Sequence, residues 1–347
     1  MRYLSEKARL LVPYAAGLQP EEAGWIKLNT NENPYPPSPG VERVLKSSDI
    51  AGLRLYPNDS SAGLCEAIAR NFGVGEQNVF CGNGSDEVLA LAYQAFFSGR
   101  ENVLSPDVSY GFYPVWSQMY DVGVKIIPLR DDFTIDTDGY KNGNGAVIAN
   151  PNAPTGIALD ITEIETIARN NPDGVVIVDE AYMDFANVRS AVSLAAKFEN
   201  LLVVRTFSKS HSLAGLRVGF AIGSRELIEG LNRVKNAFNS YPLDSLAQIA
   251  ATAAISDRDH WNETRGRIIA TRDEAAERLR ELGYRTLDSQ ANFLFMETPR
   301  AKELYEWLYN NKILVRYWDK PRISGFLRVT VGTDPEMEAF LECVRRY

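Results

Sequence analysis

Between residues 60 and 223 the chain alternates short apolar runs with segments of helical period. The runs are NVFCG, NVLSP, VKIIPL, GAVIAN, GVVIVDE, LLVVRTF and RVGFAIG. Most are apolar at consecutive positions rather than at every second one, so both faces of each strand must be covered. Helices packed on both sides of a mainly parallel sheet meet that demand. The intervening segments SSAGLCEAIARNFG, SDEVLALAYQAFFSG and DITEIETIARN carry caps and terminal Gly or Asn where helices need them. The fold class that follows is α/β, with a seven-stranded, mainly parallel sheet.

At 347 residues the chain is long for a single core. A helical stretch from Asp257 to Gly283 leads into ANFLFME, KELYEWLYNN, ILVRYW, FLRVTVG and DPEMEAFLECVRRY, an order that suits a smaller α+β domain. The Pro-rich segment NTNENPYPPSPG has no period and reads as an ordered arm. The expected division is an arm at 1–40 that joins the small domain, a large domain at 41–250 and a small domain at 251–347. No apolar run reaches the length of a membrane span, and MRYLSEKARLLVPY lacks the order of a signal peptide. Cys65, Cys81 and Cys343 show neither metal-ligand nor paired spacing, so a reducing cytoplasm and no metal are expected. A net charge of −8 argues against nucleic acid, and an anionic substrate must be met by a local cluster of arginines.

Four places carry chemistry. Lys209, in SKSHSLAGLR, stands where LLVVRTF opens into a loop. Desolvation there would lower its pKa and free the amine to form a Schiff base with an aldehyde, although a snorkelling surface lysine has the same local pattern. Thr206, Ser208 and Arg217 flank it and could hold a phosphate beside the amine. In FCGNGSDE a strand ends in a glycine turn and a helix begins, so the N–H groups of Ser85 and Asp86 could face an anion; Ser85 as a plain N-cap is the alternative. A dinucleotide fingerprint would want a glycine where Glu87 stands, which speaks against a nicotinamide dehydrogenase. Asp179, after five apolar residues, is a buried carboxylate in need of a partner, either a protonated pyridine nitrogen or a neighbouring turn. Tyr182 follows three residues later; Asn152, in ANPNAPTG, and Tyr110, in SPDVSYGFY, could reach the same ring.

In this order the motifs resemble the fold-type I pyridoxal-phosphate enzymes, over essentially the whole chain. LNTNENPYPPSP, YPNDSSAGLCEAIA, GNGSDE, VDEAYMDFA, RTFSKSHSLAGLRVGFAIG and FLRVTVGT are similar to the histidinol-phosphate aminotransferase family. The resemblance implies pyridoxal 5'-phosphate as cofactor and transamination between histidinol phosphate and glutamate or 2-oxoglutarate, a step of histidine biosynthesis. It implies that Lys209 binds the cofactor covalently, Asp179 pairs with the pyridine nitrogen, Asn152 and Tyr182 hold the ring hydroxyl and Tyr110 stacks on the ring. Ser85, Asp86, Thr206, Ser208 and Arg217 would cradle the phosphate, joined by Tyr56 from the partner subunit of a homodimer. Arg328 would take the amino-acid carboxylate, Arg316 the substrate phosphate, and Tyr14 would close over it. Many relatives read Asn-Asn-Pro-Thr-Gly where this chain has Ala153 before Pro154, which leaves the ring-hydroxyl donor open. A threonine-phosphate decarboxylase and an aromatic-amino-acid aminotransferase are alternatives within the superfamily; a noncatalytic regulator would not need both Lys209 and Asp179.

Overall fold

The structure, a computed structural model, describes residues 2–347. Its strands are β1 Ile26–Lys27, β2 Val79–Asn83, β3 Val103–Pro106, β4 Val124–Ile127, β5 Gly145–Ala149, β6 Val175–Asp179, β7 Leu201–Thr206, β8 Val218–Ile222, β9 Arg285–Thr286, β10 Phe293–Glu297, β11 Ile313–Leu314, β12 Arg316–Tyr317 and β13 Phe326–Thr330. The seven apolar runs of the sequence become one sheet in the order β2-β8-β7-β6-β5-β3-β4. Only β8 runs against its neighbours; the pairs from β7 to β4 are parallel.

Consecutive residues of the central strands enter different cores, which is why these runs are apolar throughout. Ala146, Ile148, Val176, Val178, Leu201 and Val203 pack on one face; Val147, Ala149, Ile177, Leu202 and Val204 pack on the other. Each of the Val, Leu and Ile side chains among them contributes roughly 1.5–3 kcal/mol by leaving water. The register brings the carboxyl ends of β5, β6 and β7 into line, so Ala149 pairs with Asp179 and Asp179 with Val204. Ligands of open α/β sheets bind beyond those ends.

The second sheet, β12-β13-β10-β9, is antiparallel and packs its apolar face, including Leu294, Met296, Leu327 and Val329, against helices Ala301–Asn310 and Asp334–Arg345. The arm is sewn to this region: β1 forms a separate two-stranded parallel sheet with β11, and Thr330 N of β13 donates to Leu28 O at 2.9 Å. Helix Ser245–Ser256 is continuous across the expected boundary between 250 and 251. It packs on helices Pro39–Lys46 and Ala62–Phe72. The backbone breaks from it only at Asp257, whose side chain caps helix Arg258–Glu281 by accepting from His260 N.

Candidate active site

A cavity of about 530 Å³ opens beyond β5, β6 and β7 and is closed from the other side by the arm, β12 and β13. Tyr14, Ser85, Asp86, Tyr110, Asp179, Tyr182, Thr206, Ser208, Lys209, Arg217, Arg316 and Arg328 all line it, whereas Asn152 and Tyr56 do not.

Lys209 follows the last turn off β7 and points its amine back across the cavity. Its Nζ donates to Thr30 O at 3.2 Å and lies 5.7 Å from the Tyr182 ring centroid. Burial, aided by the Arg328 guanidinium, lowers its pKa to about 8. At neutral pH an appreciable share of the amine is therefore unprotonated. Asp179 ends β6 and is 5% exposed. Its carboxylate accepts from Tyr113 Oη at 3.0 Å and Ala181 N at 3.2 Å, and among the described residues it has no ion-pair partner within 4.0 Å. Burial pushes its pKa up to about 6. A cation placed against it would relieve that cost.

The turn from β2 into helix Gly84–Ala92 forms an anion cradle. Asn83 occupies the N-cap position, with no side-chain cap, so Ser85 lies within the first turn rather than capping it. Glu87, where a dinucleotide site would need glycine, accepts from Asn83 N at 2.6 Å. Asp86 contributes a main-chain N–H to this turn, but its carboxylate is committed: Arg217 Nη2 donates to it at 3.0 Å and Tyr110 Oη at 2.7 Å. Arg217 Nη1 donates to Ser208 Oγ at 3.3 Å. The cradle needs bare backbone. A Cβ on Gly84, which has φ +78, would lie 2.4 Å from Arg217 Nη2, and one on Gly219 would lie 2.3 Å from Ser85 N.

Asn152 spends its side-chain amide on its own turn. Its Nδ2 donates to Val108 O at 3.0 Å and Thr155 Oγ1 at 3.1 Å, and its Oδ1 accepts from Ser109 Oγ at 2.7 Å. The amide holds the turn, and Ala153 lines the cavity instead. Of the amides that do line it, Asn31 meets a predicted site residue: its Nδ2 donates to Tyr182 Oη at 2.9 Å. Sequence reading missed Asn31, Thr30 and Tyr113. The first two lie in the aperiodic NTNENP stretch, where the only signal was a cluster of side-chain amides; Tyr113 sits on a helix face shared with Trp116 and carries no local mark of its role.

Arg316 and Arg328 converge from β12 and β13. Arg328 Nη2 donates to Asn29 O at 2.8 Å, and burial holds its pKa below the ordinary arginine value. Arg316 donates to Ala15 O at 2.7 Å and Ala16 O at 3.1 Å. Both guanidiniums flank Trp318, at 5.4 and 5.2 Å from its ring centroid. Tyr14 stacks on Phe112 at 4.3 Å over the cavity mouth. Tyr56 lies outside, 82% exposed and stacked on Tyr241 at 4.7 Å.

Residues 23–344 match the family model described as aminotransferase class I and II. The chain belongs to this family. Two curated aminotransferases match nearly end to end. The histidinol-phosphate aminotransferase of Brachyspira hyodysenteriae is 47% identical over 99% of this chain and 98% of its own length. That of Chromohalobacter salexigens is 48% identical over the same shares. Among solved structures, the histidinol-phosphate aminotransferase of Sinorhizobium meliloti in complex with pyridoxal-5'-phosphate superposes with a TM-score of 0.88, covering 100% of this chain and 97% of that one. At 19% identity this likeness shows the fold, which is the fold-type I aminotransferase architecture.

Proposed function

We propose that this aminotransferase exchanges the amino group between histidinol phosphate and 2-oxoglutarate, with pyridoxal 5'-phosphate in the cavity around Lys209. The observation that carries the reading is a buried lysine sharing one cavity with an uncapped helix N-terminus on one side and a pair of arginines on the other. One anion site suits the cofactor; the arginines suit an anionic substrate. The names of the relatives at 47–48% identity support the choice of substrate.

The residues fit the cofactor. Asp179 offers a buried carboxylate without a cation, as a pyridinium nitrogen requires, and the cradle offers N–H groups, Thr206, Ser208 and Arg217 to a phosphate. When bound, the cofactor supplies an aldehyde that condenses with amines and a cationic ring that accepts electrons from the substrate α-carbon. Asp179 would hold the proton on the ring nitrogen, Tyr182 would donate to the phenolic oxygen, Tyr110 would cover the ring, and Lys209 Nζ would carry the proton to and from the substrate α-carbon. Arg316 grips the phosphate of histidinol phosphate, Arg328 grips the α-carboxylate of glutamate in the other half-reaction, and Tyr14 excludes water.

We further read the protein as a cytoplasmic homodimer. Ile50, Leu55, Tyr56 and Phe238 are 66%, 58%, 82% and 77% exposed, an apolar surface that a second copy would cover while Tyr56 reaches that copy's phosphate site. Three free, buried cysteines fit a reducing compartment. Among the described residues no helix is long and apolar enough to cross a membrane. The test is single-turnover spectroscopy of the cofactor-loaded protein: histidinol phosphate should bleach the visible band and 2-oxoglutarate restore it. Carbon dioxide release from threonine phosphate would replace the reading with a decarboxylase.

A further inference from the structure

Tyr182 Oη has one proton and two lone pairs, and one lone pair is occupied by Asn31 Nδ2 at 2.9 Å. The orientation of that amide is set from behind. Thr330 Oγ1 accepts from Asn31 N at 2.9 Å and passes its own proton to Asn31 Oδ1 at 3.0 Å, so the NH₂ end is left for the tyrosine. Asn292 Nδ2 fixes the same residue through Asn31 O at 3.0 Å. Asn31 is 1% exposed and has a left-handed backbone, φ 57. Glycine would satisfy that backbone at least as well; what asparagine adds is the amide.

We propose that Asn31 is a positioning residue for the transamination: by donating to Tyr182 it turns the tyrosine's proton into the cavity and strengthens it as a donor to the cofactor's phenolic oxygen. The inference rests on the reading that pyridoxal phosphate binds here. A donor bond to a phenol oxygen stabilises charge building on that oxygen, so Tyr182 gives its proton more readily with Asn31 than without it. The chain of contacts also has a direction in the fold. Thr330 belongs to β13 of the small sheet and Asn31 to the arm, whereas Tyr182 follows β6 of the large sheet. Tyr182 therefore receives this bond from the arm, braced by the small sheet, and not from its own part of the fold.

The charged and titratable groups around Tyr182 are Lys209, Arg328, Asp179, Asp86 and the phenol of Tyr110. Asn31→Gly alters none of them and adds no charge, so its difference from wild type reports the amide. The experiment is a pH titration of the visible absorption of the pyridoxal-phosphate-loaded protein, for wild type and Asn31→Gly, each also in a Tyr182→Phe background. A weaker donor leaves more negative charge on the phenolic oxygen, which then keeps its shared proton to higher pH. Asn31→Gly should raise the midpoint by about 0.4–1 pH unit, the worth of one neutral hydrogen bond. The shift should vanish when Tyr182 is phenylalanine. Equal midpoints for wild type and Asn31→Gly, or a shift that survives in Tyr182→Phe, would overturn the assignment. A wild-type protein that takes up pyridoxal phosphate without any visible band would instead remove the reading beneath it, and the assignment with it.

Discussion

Arg316 and Arg328 are direct cross-strand partners: their Cα positions face each other in the antiparallel pair β12–β13, and both side chains line the cavity that holds Lys209. Like charges directly opposite one another destabilise a sheet. Here arm carbonyls of Ala15, Ala16 and Asn29 and the face of Trp318 offset part of that cost. A bound anion would offset the rest, which is the physical reason to read the pair as a substrate site.

Arg316→Ala should weaken the phosphorylated amine by about 2–5 kcal/mol, the usual cost of removing one partner of a desolvated charge pair. Glutamate should lose far less. Separate single-turnover titrations with each substrate measure both numbers, and equal losses would assign Arg316 to holding the arm through Ala15 and Ala16.

Lys209→Ala should fold normally and still bind pyridoxal phosphate, with the spectrum of the free aldehyde. Without the amine at the α-carbon, the rate of the first half-reaction should fall about 10²–10⁴-fold. A parent-like rate in stopped-flow would refute the assignment.

Asp179 gives a pH dependence with a definite sign. Burial raises its folded pKa to about 6, above its value of 3.8 in an exposed chain, so the stability it contributes is present at acid pH and lost as pH rises through 6. In the cofactor-free protein the buried charge should cost about 3 kcal/mol at pH 8. Asp179→Asn should therefore melt higher than wild type at pH 8, with the gap closing toward pH 4, while turnover collapses. Calorimetry across that range, with and without cofactor, checks it; cofactor should abolish the wild-type deficit.

Gly219→Ala tests the cradle from beneath. The new methyl would meet backbone, Ser85 N at 2.3 Å, and backbone cannot move aside as a rotamer can. Displacing the first turn should cost one charge-assisted hydrogen bond, roughly tenfold to a hundredfold in cofactor affinity. Equilibrium dialysis of the folded variant gives the figure, and unchanged affinity would free the helix start from any role.

If Tyr56 completes the neighbouring subunit's phosphate site, Tyr56→Phe should lower cofactor affinity about tenfold without dissociating the dimer. Wild-type activity should fall with dilution in step with sedimentation. A fully active monomer would contradict this.

Sequence by itself determined whatever local chemistry decides. Runs apolar on both faces, as most of the seven are, call for strands covered on both sides, and Asp179, Thr206 and Ser85 stand at or just past strand ends, where an open α/β sheet exposes its functional edge. The glycine turn before Ser85 and the lysine after β7 were legible for the same reason. Only tertiary structure decided which side chains turn inward. Asn152 and Ala153 are adjacent in one turn, yet the amide folds back on Val108 and Thr155 while the alanine faces the cavity. The separation of twelve positions between Arg316 and Arg328 became direct opposition through the register of β12 and β13. Asn31 meets Tyr182 across 151 positions because the arm is hydrogen-bonded to the small sheet, and contacts of that sequence separation leave no periodicity to read.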